Sequence, residues 1–209
     1  MRTIRHGGEY ELLIKKSRFV CALQRVGDED AARRFIAERR RMHWGAAHNC
    51  TAYVLGAEGE VQRSGDDGEP SGTAGVPMLE VLRHRGITDT AAVVTRYFGG
   101  VKLGAGGLIR AYGNAVAAAL DDVGELERRT LRIVTVGADY LLAGKLESDL
   151  RESAYRVRDV RYGADVAIDV AVAEHALDGF GDWLAEATGG KAEYGLGGST
   201  TIEVEPGAE

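Results

Sequence analysis

Residues 95–113, TRYFGGVKLGAGGLIRAYG, place glycines and basic side chains directly before a predicted helix. The first N–H groups of a helix have no backbone partner and carry a positive partial charge, so they can bind an anion. Glycines let the backbone come close to such a ligand. The segment therefore predicts a phosphate-binding loop. Its candidate residues are Arg96, Gly99, Gly100, Lys102 and Gly104.

Known nucleotide-binding motifs do not describe this loop. A P-loop requires Lys followed by Ser or Thr directly after its last glycine, whereas Gly104 is followed by Ala105 and Gly106. A dinucleotide fingerprint starting at Gly104 would require Gly or Ala at position 109, where this chain has Ile109. Three interpretations stay open: a phosphate site, a nucleic-acid contact, or a tight packing corner between a strand and a helix.

The acidic stretch 64–79, SGDDGEPSGTAGVPML, offers a second set of polar groups. Carboxylate oxygens suit a hard cation, and hydroxyl groups can donate to a phosphate. The spacing is not that of an EF-hand, and acids among Gly, Pro and Ser usually form a solvated turn. We therefore predict no metal site. The candidate ligand-binding residues in this stretch are Asp66, Asp67, Glu69, Ser71 and Thr73.

His48 and Cys50 stand two positions apart in a predicted strand, so their side chains point to the same side. A Cys–His nucleophile pair needs a third group to orient it, and nothing nearby supplies one. The histidines and cysteines also lack a recognised zinc spacing. Cys50 is interpreted as a buried structural residue, and His48 as either a surface residue or a site residue.

The elements of the first half follow from hydrophobic periodicity. Phe19, Cys21 and Leu23 alternate as in a half-buried strand. The next helix starts after Asp28. The elements expected after that are strand 48–55, a polar loop, a short helix opened by Pro77, strand 90–98, and a helix after the glycines. The apolar stripe of the first helix is predicted at Ala31, Phe35 and Met42, and that of the last at Leu108, Tyr112, Ala115 and Ala119.

The second half shows the order β-α-β-β-α-β, which is the ferredoxin-like split βαβ pattern. Residues 155–162 and 165–172 alternate cleanly and predict a hairpin. An acidic turn at Asp122–Glu127 is predicted to connect the halves. The fold class is therefore α+β, with two domains at 1–124 and 125–209.

Composition limits the class of protein. The chain has 209 residues, two cysteines and a net charge of −6. Residues 1–124 carry a net +2 and residues 125–209 a net −8, which argues against a basic nucleic-acid coat over the whole chain. No apolar run reaches the ~20 residues of a membrane span, and the N-terminus lacks a signal-peptide core. We expect a cytoplasmic protein with no membrane partner.

Four segments resemble the Impact/YigZ family in the expected order: IKKSRF at 14–19, HNCTAYV at 48–54, the acidic stretch 64–79, and residues 93–113. The resemblance covers residues ~10–120, and the second half resembles the C-terminal domain of bacterial members. It implies a first domain built as a sandwich like domain IV of elongation factor G and ribosomal-protein domains. The second domain would resemble the last domain of that factor.

The resemblance also implies a function near translation, because eukaryotic relatives are translation regulators. It supplies no established catalytic residue and no cofactor, so we expect a binding protein rather than an enzyme. The implied partner is RNA or the ribosome. The alternatives are an enzyme or binding protein for a phosphorylated small molecule or nucleotide, and a protein-interaction regulator. The combined site prediction is Lys16, Ser17, Arg18, His48, Asp66, Asp67, Glu69, Ser71, Thr73, Arg96, Tyr97, Gly99, Gly100, Lys102 and Gly104.

Overall fold

A computed structural model describes residues 1–207, which fall into two compact units. The first unit contains residues 1–128 and 204–207, and the second contains residues 129–203. Both units combine helices with sheets, so the α+β class is confirmed. The domain ranges given above, with their boundary at residue 124, stay a prediction.

The first unit is built on an antiparallel sheet with the strand order β2-β3-β6-β4-β5. The strands of the first unit, of which β1 lies outside this sheet, are β1 (Arg2–Ile4), β2 (Gly8–Ile14), β3 (Ser17–Arg25), β4 (His48–Leu55), β5 (Val61–Gly65) and β6 (Thr90–Tyr97). Its helices are α1 (Glu29–Met42), α2 (Gly75–His84) and α3 (Ala105–Val123).

Both faces of this sheet are covered by helices. Phe19 and Cys21 of β3 lie in the core that the sheet shares with α2 and α3. Ala22 of the same strand lies in a second core with Phe35 of α1. The prediction that β3 is half-buried was therefore wrong. Both faces of the strand carry apolar side chains, and the prediction considered only the face of Phe19, Cys21 and Leu23.

Helix α1 starts where the sequence predicts, since the Asp28 carboxylate accepts a hydrogen bond from the Ala31 N–H at 2.7 Å. Its buried face differs from the predicted stripe. Met42 is 59% exposed, whereas Arg39 is buried. Arg39 can be buried because Glu9 of β2 neutralises its guanidinium. Charge pairing therefore overrides hydrophobicity at this end of the helix.

The connection predicted at Asp122–Glu127, an acidic turn with Gly124, is shorter in the structure. Helix α3 continues to Val123, and the next strand, β7 (Glu125–Ala138), begins only two residues later. Gly124 alone makes the connection, at a φ of 73° that favours glycine. The first residues of β7 pair with β1 inside the first unit.

The second unit has the predicted ferredoxin-like topology. Its four strands lie in the order β10-β7-β9-β8, which is fourth, first, third, second along the chain. Besides β7, its elements are α4 (Tyr140–Glu152), β8 (Arg156–Tyr162), β9 (Val166–Ala173), a short 3₁₀ turn (Glu174–Ala176), α5 (Leu177–Thr188) and β10 (Glu193–Val204).

The helices of the second unit pack on one face of its sheet. Leu146 and Leu150 of α4 are buried with Phe180 and Leu184 of α5, as their helical spacing predicts. The hairpin between β8 and β9 is confirmed by the antiparallel pairing of Tyr162 with Val166. None of the helices within residues 1–207 has the length and hydropathy needed to span a membrane.

Candidate functional site

Strand register brings the predicted segments to one end of the first unit's sheet. Arg96 of β6 lies opposite His48 of β4 on one side and opposite Phe19 of β3 on the other. Strand β5 ends at Gly65, beside Thr51, so the acidic loop leaves the sheet at the same end. Four stretches that are distant in sequence therefore meet around the end of β6.

A buried ion pair joins two of these stretches. Arg96 donates from Nη1 to Glu69 Oε1 at 2.6 Å, and both side chains are almost entirely buried. The Tyr112 hydroxyl of α3 donates to the same oxygen at 2.8 Å. His48 Nε2 lies 3.8 Å from the second carboxylate oxygen. Glu69 thus connects the acidic loop to β4, β6 and α3.

Asp66 has a different role, because it caps helix α2. Its carboxylate accepts hydrogen bonds from the backbone N–H groups of Gly72, Ala74 and Gly75 at 2.8 to 3.0 Å. Burial by itself would raise the pKa of Asp66, but the three N–H groups outweigh it and lower the pKa. The side chain is therefore occupied in holding the loop onto the start of the helix.

Replacing Asp66 by alanine is expected to lower the free energy of unfolding of the first unit by about 2 kcal/mol at neutral pH. The folded-state pKa of Asp66 lies below its ordinary value of 3.8. Its contribution is thus fully present above that value and is lost as the pH falls through the folded pKa. In urea titrations from pH 6 to about pH 2, the free energies of unfolding of wild type and variant should converge in acid. A difference between them that stays constant with pH would contradict the cap assignment.

Asp67 points away from both other acids. It accepts from the Asn49 backbone N–H at 2.7 Å and pairs with Arg40 of α1 at 3.0 Å. The carboxylates of Asp66, Asp67 and Glu69 therefore diverge rather than converge on one point. Across residues 1–207, no three His, Cys, Asp or Glu side chains are grouped so that they could hold a metal ion.

His48 and Cys50 both bind the acidic loop through its backbone. The Asp67 carbonyl can only accept, so His48 donates from Nδ1 to it at 2.8 Å, and Nε2 faces Glu69. Cys50 donates to the Asp66 carbonyl at 2.9 Å. Burial raises the pKa of Cys50 to about 12, which makes it an inert thiol. The prediction of a structural cysteine is thereby supported.

A cavity of about 530 Å³ opens beside the ion pair. Its lining residues are Ala47, His48, Glu69, Pro70, Arg96, Phe98, Lys102, Leu103, Gly104, Ala105 and Leu108. The start of α3 forms part of the wall, where Gly104 has a φ of 72°. Within residues 1–207, the N-cap Gly104 makes no side-chain cap hydrogen bond, and the first turn of the helix contains no acidic residue. Backbone N–H groups of α3 and the Lys102 amine therefore border the same space as His48 and Arg96.

Sequence comparisons agree with this architecture. The profile of the Impact N-terminal domain matches residues 15–120, and a domain of unknown function, DUF1949, matches residues 136–191. IMPACT family member YvyE of Bacillus subtilis (strain 168) is 49% identical over 201 residues, which cover 96% of this chain and 93% of that protein.

The chain belongs to the IMPACT family. IMPACT family member YigZ of Escherichia coli (strain K12) is 37% identical over 182 residues, covering 86% of this chain and 89% of that protein. A solved structure described as a crystal structure of an hypothetical protein aligns with a TM-score of 0.59 at 33% identity, covering 92% and 95% of the two chains. The resemblance expected from the four motifs is confirmed.

In this IMPACT family member, five of the fifteen predicted site residues line the cavity, and two of the others lie on the opposite face of the sheet. Arg18 and Tyr97 pair across β3 and β6, one position before and after the residues that face the cavity, so they project from the opposite face. Arg18 donates twice to Glu11 and lies over the Tyr97 ring at 5.2 Å. The Tyr97 hydroxyl lies 2.8 Å from His43 Nδ1.

Other predicted residues support the surrounding turns. Ser17 Oγ is buried and accepts a hydrogen bond from the Gly99 N–H at 3.2 Å. Lys16 occupies the turn between β2 and β3 with a φ of 69°. Thr73 donates to the Pro70 carbonyl at 2.6 Å, while Ser71 is exposed. Gly100 also has a positive φ, of 83°. These residues shape the loops on which the cavity depends.

Three residues of this region were missed as site residues by sequence reasoning. Tyr112 was predicted only as part of an apolar stripe, and Leu103 and Leu108 form apolar wall of the cavity. The signal for Tyr112 was available, because a buried tyrosine hydroxyl needs a polar partner. Burial raises the pKa of Tyr112 far above its usual value, with Cys50 and Glu69 adding to the effect, so it stays a neutral donor.

Proposed function

We propose that this IMPACT family member binds RNA in a translation-associated role, through the cavity at the end of β6. One observation carries the proposal: the uncapped start of α3, an exposed lysine and an exposed aromatic ring border one cavity. The helix start and the lysine fit a phosphate group, and the aromatic ring fits a base. The translation context comes from the family resemblance.

Phosphate groups fit the basic wall of the cavity. Among residues 1–207, no side-chain cap hydrogen bond is made at the start of α3, and helix N-termini favour negative charge. Lys102 lies two residues before Gly104, the N-cap of that helix, with its side chain exposed. Such contacts position a nucleic acid without reading its sequence.

Phe98 supplies the surface for a base. Its ring is 53% exposed although it borders the cavity. The Arg96 guanidinium lies 5.5 Å from the ring centroid and supports it from inside. Stacking on an aromatic ring tolerates every base, so sequence preference should be weak. Binding is assigned to the first half, where residues 1–124 carry a net +2.

Replacing Lys102 by alanine is expected to weaken RNA binding about tenfold at ~50 mM salt, since one charge-assisted phosphate contact is lost. The slope of log affinity against log salt should fall by about one unit. Fluorescence anisotropy with a short single-stranded RNA at ~50 and ~200 mM salt measures both quantities, and ribosome pelleting extends the test to the assembled particle.

Lys145→Ala is the matched control, because Lys145 is an exposed lysine on α4 of the other unit. This variant should bind like wild type. Absence of salt-sensitive binding by wild type to either RNA or ribosomes would refute the proposed function. Equal weakening by both substitutions would show that binding follows net charge rather than this cavity.

The depth of the cavity favours a second candidate function, the binding of a phosphorylated small molecule or nucleotide. Arg96, Glu69 and Leu108 line the cavity and are buried, so a ligand can lie largely enclosed. A mononucleotide bound there should raise the melting temperature of the first unit, because binding stabilises the native state. Unchanged melting at millimolar nucleotide would count against this candidate.

A further inference from the structure

The cavity is closed at its inner end. Arg96, Glu69 and Leu108 are exposed by only 5%, 8% and 5%, respectively, and they line it from inside the first unit. Phe98 and Lys102 line it and are exposed, so they mark its mouth. A strand that continued in both directions would need two openings. A group that ends a strand needs only one.

Arg96 lines the inner end of the cavity and carries one donor that lacks a partner among residues 1–207. Arg96 uses Nη1 for Glu69, but its Nε is buried without a hydrogen-bond partner among residues 1–207. A buried guanidinium N–H that remains unpaired costs free energy, so a ligand oxygen there would be favoured. Arg96 and the first residues of α3 come from different elements of the fold, and both line the same cavity.

The number and charge of the donors distinguish two kinds of phosphate. An internal phosphodiester offers two free oxygens and one negative charge. A terminal phosphomonoester offers three strongly accepting oxygens and carries about −1.5 to −2 charge at neutral pH. The donors described above come from a helix N-terminus, Lys102 and Arg96, while Glu69 already balances the Arg96 charge. Three donor groups, one of them the charged amine of Lys102, match the monoester better.

We propose that the cavity binds the terminal phosphomonoester of an RNA strand, with the end nucleotide's base against Phe98 and the rest of the strand leaving through the mouth. This inference rests on the proposed function and narrows its ligand to a phosphorylated end. The shared chemistry of a 5′-phosphate and a 3′-phosphate satisfies the donors equally, so the experiment separates these two sources.

The test compares one short RNA sequence with a 5′-phosphate, with a 3′-phosphate, and with hydroxyl groups at both ends. Anisotropy is measured at ~200 mM salt, where non-specific charge attraction is weakened. A hydroxyl-ended RNA that is two nucleotides longer serves as the charge control, because its two additional phosphodiesters carry at least the charge of the monoester. We expect at least one phosphorylated form to bind about tenfold more tightly than both hydroxyl-ended RNAs. Lys102→Ala should remove most of that preference, and Lys145→Ala should retain it.

Competition distinguishes failure of this inference from failure of the proposed function. Adenosine monophosphate should displace the phosphorylated RNA, and adenosine should not. Equal binding of phosphorylated and hydroxyl-ended RNA would overturn the inference while RNA binding stands. Binding of the monophosphate without RNA binding would overturn the RNA function and the RNA end as ligand, and would favour the second candidate function. No binding of either ligand would overturn both.

Discussion

Replacing Glu69 by alanine is expected to destabilise the first unit by about 3–5 kcal/mol, the largest stability loss predicted for any residue at the cavity. The substitution leaves the Arg96 guanidinium buried without its counter-ion and removes the acceptor of the Tyr112 hydroxyl. Urea titration followed by circular dichroism measures the loss, and hydrogen exchange in peptides from β6 assigns it to the first unit.

Two further variants distinguish the cost of leaving a charge buried without a partner from the cost of losing any ion pair. Glu11→Ala removes the bidentate partner of Arg18, but both side chains of that pair are about half exposed. It should therefore cost far less than Glu69→Ala. Replacing both Glu69 and Arg96 with leucine and methionine should recover much of the stability, because no isolated charge stays buried. Equal losses in Glu11→Ala and Glu69→Ala would contradict this account.

Replacing Gly99 by alanine is expected to destabilise the first unit by about 3 kcal/mol. A Cβ atom at this position would lie 2.0 Å from the backbone carbon and oxygen of Lys16. The contact is with backbone, so no side-chain rotation relieves it. Either the turn between β2 and β3 or the loop before α3 must move. The free energy of unfolding and the RNA affinity should therefore fall together.

Gly106→Ala is the matched control in the same glycine-rich segment. Gly106 lies in the first turn of α3, and a Cβ atom there meets nothing within 4 Å. Alanine favours a helix over glycine, so stability should stay the same or rise by up to about 1 kcal/mol. Tolerance of alanine at both positions would show that the close approach of Gly99 to Lys16 is not needed for the fold.

Periodicity was a sound guide to the elements that depend on one repeating pattern. The β8–β9 hairpin and the apolar spacing of α4 and α5 are set by local alternation, and the structure confirms them. Features that depend on partners distant in sequence were harder to predict. Arg39 of helix α1 is buried because it pairs with Glu9 of strand β2, and no pattern within α1 shows that partner.

The candidate site followed the same division. The position of the glycine-rich loop directly before α3, with Arg96 close to it, could be predicted from the order of the segments in the sequence. The different roles of the three acids in the acidic loop could not be predicted. Asp66, Asp67 and Glu69 have similar chemistry in one loop, yet one caps a helix, one contacts β4 and α1, and one is buried against Arg96. Only tertiary contacts separate these roles.

The burial of Cys21 and Cys50 has a practical consequence. Both native thiols lie in the core of the first unit, and the second unit contains no cysteine. A thiol reagent such as a maleimide can therefore modify the chain only after the first unit opens. The rate of labelling therefore measures the opening of the first unit alone. A cysteine introduced at an exposed position could meanwhile carry a fluorophore without competition from the native thiols.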